Sequence, residues 1–144
     1  MRISDSLPGT WELLSRIDTT DAGERRVEPS LGEDPVALLI YDRAGHFAAQ
    51  FMKRDRGSVA ADAASAGQNN SRAINGYDAY FGSYTVDDEA GTVTQRLDAA
   101  LSAENVGMTL TRAMHVDGDQ LTIRLRTTTG GESVTRELVW KRIG

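Results

Sequence analysis

Gly9-Thr10-Trp11-Glu12-Leu13-Leu14-Ser15 opens the first strand-like segment of this chain, and Leu138-Val139-Trp140-Lys141-Arg142 closes the last. A guanidinium is drawn to the face of an indole by the ring quadrupole. An Arg ending the last strand can therefore cover a Trp near the start of the first, provided the sheet between them curls until its edges meet. A sheet closed in that way has no free edge and encloses room for one small ligand. The two terminal phrases favour such closure over the rival arrangement, a β-sandwich.

The segments between them supply the strands. Thr10 to Ile17 reads as the first, with Trp11, Leu13, Ser15 and Ile17 on one face. Asp18 to Asp34 is polar loop. Val36 to Tyr41 is a continuous apolar strand, and Asp42-Arg43-Ala44-Gly45 turns it into His46 to Met52. Four more follow at regular spacing: Ala79–Val86, Thr92–Leu101, Val106–Val116 and Gln120–Thr127. Their joints carry Asp, Asn, Ser and Gly, the residues that tolerate tight turns. Ser133 to Arg142 is the last. The sum is an all-β chain, an eight-stranded antiparallel up-and-down barrel. Gly57 to Gly76 breaks the rhythm with Ala, Ser and Asn, and reads as an excursion with a short helix around Val59–Ala66. Such a segment is either a solvated loop or a helical or loop lid over the barrel mouth.

With 144 residues, the chain fits one domain, 1–144, large enough to bury a core. It has no Cys, which excludes disulfides and thiolate metal sites, and its two His argue against zinc or haem. No metal and no cofactor are expected. The first residues contain Asp5 and no apolar stretch, so no signal peptide is read there. No run approaches a membrane span, and a cytoplasmic protein is the expectation. The net charge of −5 opposes non-specific nucleic-acid binding, which needs a basic surface. The expected partner is a small molecule.

Strand parity then singles out polar residues on otherwise apolar rows. One row reads Val106, Met108, Leu110, Arg112, Met114, Val116. The next reads Val93, Gln95, Leu97, Ala99, Leu101, and a third Tyr80, Gly82, Tyr84, Val86. Arg112, Gln95, Tyr80 and Tyr84 are thus aimed into one interior, and none of these three rows carries an Asp or Glu. A buried guanidinium needs an acceptor. It is either a ligand's carboxylate, phenolate or enolate, or tyrosine hydroxyls and water inside a filled barrel. In His46 to Met52 both rows suit an interior. If the Gln50 row faces inward, Met52 joins Met108 and Met114 as adaptable lining, though any single Met is more often plain core. His46 and His115 have no nucleophile at a diagnostic spacing, and no nucleophile elbow, phosphate loop or metal pattern is present. Arg54 and Arg56 could sit at the barrel mouth or in solvent.

Gly9 to Ser15, Tyr41 to Gln50, Tyr80-Phe81-Gly82-Ser83-Tyr84 and Leu138 to Arg142 together resemble the bacterial and fungal lipocalin-like domain family. The likeness runs through nearly the whole chain, and the Tyr-Phe-Gly-x-Tyr phrase is its most specific part. It implies a calycin-type barrel with a small-molecule cavity and no single activity. In the family pattern a histidine often stands where this chain has Gln95, which weakens acid–base roles built on that position.

Two functions follow. The first is a protein that binds a small, largely apolar molecule with an acidic or carbonyl group at Arg112. The second is a cofactor-free isomerase, cyclase or hydrolase acting on a secondary-metabolite-type substrate. There Arg112 stabilises an oxyanion and Tyr80 or Tyr84 donates or accepts a proton. A third is an interaction protein with a filled barrel. The chain is expected to be a monomer, or a homodimer through the apolar strand Val36–Tyr41.

Overall fold

The computed structural model describes residues 2–56 and 69–144. A short helix α1 (Ile3–Ser6) leads into β1 (Gly9–Thr20), followed by β2 (Arg25–Arg26), β3 (Val36–Tyr41), β4 (His46–Met52) and β5 (Tyr77–Asp87). Then come β6 (Thr92–Ala100), a 3-10 turn at Ala103–Asn105, β7 (Thr109–Asp117), β8 (Gln120–Thr129) and β9 (Glu132–Arg142). Neighbours are antiparallel in the order β2-β1-β3-β4-β5-β6-β7-β8-β9, and β1 also pairs with β9. Eight strands thus form a closed barrel, with β2 as a two-residue extra strand. The proposed helix at Val59–Ala66 and most of the Gly57–Gly76 excursion lie outside the described residues.

The base is sealed as the terminal phrases suggest. Trp11 is fully buried, the Arg142 guanidinium carbon lies 4.3 Å from its ring centroid, and Trp11 Nε1 donates to the Leu7 carbonyl at 3.0 Å. Arg142 also donates to the carbonyls of Pro8 and Ser6. Gly9, at φ +148°, has to be glycine: a Cβ there would collide with the Arg142 guanidinium. The Gly-x-Trp and the terminal Arg are one packing unit.

The ladders are uneven. β1 meets β3 only along Gly9–Glu12, and β7 meets β8 only along Ala113–Asp117. Both seams lie near the sealed base, since Gln120 pairs with Lys141 beside Arg142. Toward the other end, the sheet β1-β9-β8 and the sheet β3 to β7 splay apart on both sides.

Two bulges shift the parity on which the sequence reading rested. In β1, Leu13 pairs with Trp140 but Ser15 pairs with Val139, leaving Leu14 extra and exposed. Beyond it Asp18 and Thr20 are buried and the Arg16 side chain is enclosed. The inward row is therefore not Trp11-Leu13-Ser15-Ile17. A second irregularity, between Phe81 and Gly82, skips Asp98 on β6, so Leu101 ends half exposed and not on the inward row. Gly82 is obligatory there, because a Cβ would run into the Arg96 carbonyl. β3 is not a continuous buried run: Ala37, Leu39 and Tyr41 are buried, while Val36, Leu38 and Ile40 face outward.

Replacing Arg142 by Met removes a cation–π contact and orphans two carbonyls at the base. We expect a loss of about 2–4 kcal/mol in urea unfolding. A change below about 0.5 kcal/mol, the size typical of an indifferent surface site, would mean the seal is decorative.

Candidate functional site

Between the splayed halves lies a small cavity of about 60 Å³. One water needs about 10–15 Å³ of such space, so the cavity takes a few waters or a small solute. Apolar walls come from Leu39 (β3), Phe51 (β4), Ile123 and Leu125 (β8), and Leu138 and Trp140 (β9). Into them project polar side chains, each from an inward strand position or from a loop folded back over the opening.

Two of these are guanidinium groups with carboxylate partners. Arg136 binds Asp18 in a fork, Nε to Oδ1 at 2.7 Å and Nη2 to Oδ2 at 2.9 Å, and Thr129 Oγ1 donates to Asp18 at 2.5 Å. Burial works to raise the Asp18 carboxyl, but Arg136 and Thr129 outweigh it and hold it below its usual range. Arg16 meets Glu28 at 3.3 Å. Burial lowers the Arg16 pKa to about 10, assisted by Arg136 and opposed by Glu28. Glu28 also accepts from the Ser30 hydroxyl and amide. It belongs to the loop after β2, which folds inward and fills the splay between β1 and β3.

Arg112 is different. Its side chain is buried, yet Nη1 donates to the carbonyls of Asn69 at 2.6 Å and Thr111 at 3.3 Å, and it has no carboxylate partner among the described residues. Burial lowers its pKa, opposed by Tyr80 and Tyr41. The Asn69 carbonyl belongs to a strap, residues 69–73, that fills the second splay. Asn69 accepts from the Thr111 amide at 2.7 Å and donates to the Thr111 carbonyl at 3.0 Å, standing in for the missing β8 partner. Asn70 donates to Thr127 on β8 at 3.2 Å. Ser71 donates to Asp78 Oδ2 at 2.7 Å.

Among the described residues Asp78 is a buried acid with no salt bridge. It is 3% exposed, lines the cavity, and its Oδ1 has no hydrogen-bond partner among the described residues. Burial pushes its pKa up to about 6, against the pull of the Ser71 hydroxyl, the Ala79 backbone amide and the Arg16 charge. Trp140 Nε1 is also buried and has no hydrogen-bond partner among the described residues. Tyr80 also lines the space, its pKa pushed up to about 12, first by burial and then by the Asp78 charge. Gln95 donates to the hydroxyl of buried Tyr41 at 3.0 Å.

The structure therefore brings Arg112, Gln95 and Tyr80 together at one cavity. Tyr84 is not among its lining residues: its hydroxyl donates to the Asp42 carbonyl at 2.5 Å, and its ring packs edge-on against Tyr41. Gln50 lies on the outer face, accepting from Tyr77 at 2.7 Å, because Phe47, Ala49 and Phe51 form the inward row of β4. Met52 shares that outer row. Met108 packs against the core from the turn before β7 and Met114 is core, but neither lines the cavity. Arg54 pairs with Asp34 at 3.0 Å and is exposed, and His46 pairs with Asp42 at 3.0 Å. Among the described residues no cluster of His, Cys, Asp or Glu is arranged to hold a metal ion.

Asp78, Arg16, Asp18, Glu28, Tyr41, Arg136 and Trp140 are cavity or cavity-wall residues that the sequence reading did not select. β5 begins at Tyr77, not Ala79, which puts Asp78 on the inward row and supplies the acid those rows seemed to lack. Arg136 carried a legible signal, since it interrupts the row Val134, Leu138, Trp140 just as Arg112 interrupts its own.

The family model for the lipocalin-like domain matches residues 8–143, so the chain belongs to that domain family. No curated protein matches it.

The Asp78 carboxyl sets a pH dependence of known sign. Its folded pKa exceeds its unfolded value near 3.8, so its contribution to stability is full below about pH 4. That contribution falls by about 3 kcal/mol as pH rises toward 6, then stays flat. Asp18 and Glu28 act oppositely: their contribution is present above the ordinary carboxylate range and lost as pH falls through their lowered values. Denaturation of Asp78→Asn should match wild type near pH 4 and exceed it at pH 8. A variant weaker than wild type at pH 8 would show that the Asp78 charge is well accommodated.

Proposed function

We propose that this lipocalin-like barrel binds a small, largely apolar molecule whose carbonyl or acidic group is held by Arg112. The observation that carries the reading is the state of that one guanidinium. Arg16 and Arg136 each hold a carboxylate, whereas among the described residues Arg112 faces the same cavity satisfied by two backbone carbonyls. A carboxylate can accept from a guanidinium through two parallel N–H···O bonds, so a ligand oxygen bearing charge competes well with the single bond to the Asn69 carbonyl. Apolar side chains from β3, β4, β8 and β9 would enclose the rest of the molecule, as in most small-molecule sites. The space of about 60 Å³ is tight for this role, because ligand pockets usually span about 300–1,000 Å³. A ligand beyond a few heavy atoms would displace part of the strap 69–73, which is held mainly by polar contacts.

A second reading, cofactor-free proton transfer, gains support from Asp78. A buried carboxyl with a pKa of about 6 can exchange a proton near neutrality, whereas Tyr80 at about 12 is poorly matched to that task. In this reading Asp78 removes a proton from carbon next to a carbonyl, and the C–H electron pair moves onto the carbonyl oxygen beside Arg112. The proton then returns at a second carbon. Tyr84 takes no part in it.

Thermal-shift screening of small carboxylic acids and carbonyl compounds tests the binding reading. A ligand at about 100 times its Kd stabilises by about 2.7 kcal/mol, a shift of several degrees for a domain this size. Gln50→Ala, on the outer face, should keep the shift and Arg112→Met should lose it. A shift that survives Arg112→Met assigns the ligand to some other surface.

A further inference from the structure

The charges inside the barrel fall into two closed pairs, Arg136 with Asp18 and Arg16 with Glu28, and two single groups, Arg112 and Asp78. The single groups form no salt bridge with each other, yet both line one cavity. Two buried polar atoms of lining residues are also left without partners among the described residues: the acceptor Asp78 Oδ1 and the donor Trp140 Nε1. Native interiors leave few such atoms, because each costs the desolvation of a group that gets nothing in return. An acceptor and a donor without partners among the described residues, lining one cavity with a guanidinium held there by backbone carbonyls, make a recognition set with a definite complement. The complement accepts hydrogen bonds at one end and donates one at the other.

We propose that Asp78 selects the charge class of the ligand. The cavity takes a neutral molecule that accepts from Arg112 and Trp140 Nε1 while donating to Asp78 Oδ1, such as a carboxamide or a hydroxy-carbonyl compound. Carboxylates are admitted only with a proton on Asp78. The inference rests on the reading of Arg112 as a ligand anchor and narrows it from acidic or carbonyl groups to neutral donor–acceptor groups. Electrostatics supply the reason. With Asp78 ionised the buried charges of the described residues balance, three guanidinium groups against three carboxylates, so a carboxylate adds an uncompensated charge to a desolvated space. A neutral donor–acceptor group adds none. Arg16, Glu28, Tyr41, Tyr80, Arg112 and Arg136 are the other charged or titratable groups lining the cavity, with Asp18 behind Arg136. Glu28 and Asp18 are held below the usual carboxylate range and both tyrosines are raised. Asp78 alone among them changes charge between pH 5.5 and 8.

Acetate and acetamide are isosteric, differ in charge, and are small enough for the space. The chain has two Trp, so the Trp140 indole N–H can be followed by NMR beside that of Trp11, which is already bonded to Leu7. Titrations at pH 5.5 and 8 read the affinities. Acetamide should bind at least as tightly at pH 8 as at 5.5, because its N–H is then donated to a carboxylate. Acetate, needing one proton taken up with it, should weaken about tenfold per pH unit above 6, so roughly a hundredfold by pH 8. In Asp78→Asn acetate binding should become independent of pH, and in Arg112→Met both probes should fail. Equal acetate affinity at the two pH values in wild type, or a slope that survives Asp78→Asn, overturns the charge selection and leaves the Arg112 anchor standing. A Trp140 resonance that neither probe moves overturns the anchor as well. The wild-type comparison needs no variant.

Discussion

Three guanidinium groups enclosed by a sheet that closes on itself are the constraint around which this interior is arranged. An ion removed from water costs several kcal/mol unless it is paired and hydrogen-bonded, so each Arg dictates what stands beside it. Arg136 requires Asp18, and Asp18 can reach it only because the extra residue at Leu14 turns the second half of β1 over. Arg16 requires Glu28, which no strand supplies, so the loop after β2 folds inward to deliver it. Arg112 is left to backbone carbonyls, and its best one comes from a strap laid across the β7–β8 opening. The loop and the strap are consequences of the charges they serve.

That logic explains what could be read from the chain alone. Closure was legible because Gly9, Trp11 and Arg142 are one local packing unit written at the two ends of the sequence. Arg112, Gln95 and Tyr80 were legible because β7 and the first part of β6 keep strict alternation through them. The rest was hidden where alternation fails. A bulge has no reliable signature in a single sequence, and one at Leu14 moves Arg16 and Asp18 from the solvent row to the core row. The Gln50 row was undecidable because Ala48 and Ala49, Phe51 and Met52 offer two equally apolar faces. Asp78 was lost to a boundary error of two residues, the commonest kind. Glu28 could not have been placed, since its burial depends on a tertiary need of Arg16.

The strap also differs in kind from the walls it joins. Its contacts to Thr111, Thr127, Asp78, Arg112 and Asn105 are hydrogen bonds, and Ala73 is its buried apolar residue. Hydrogen bonds exchange readily for others of similar strength, whereas buried apolar area does not. A closure made of such contacts can be traded for contacts with a polar ligand at modest cost, while the apolar walls keep the fold intact.

The two short seams have a mechanical meaning. Because β1–β3 and β7–β8 are laced only near the Trp11–Arg142 base, the barrel consists of two jaws on one hinge. An eleven-residue strand such as β9 is a lever of about 35 Å. Along most of that length the gaps between the two sheets are closed by the Glu28 loop and the strap 69–73, whose bonds to Arg16, Thr111 and Thr127 would have to break before the far rims could part. The molecule is laced by strand rungs where its sequence is most recognisable and closed by loops beside its cavity, so the room inside depends on how those loops seat as much as on the side chains that line it.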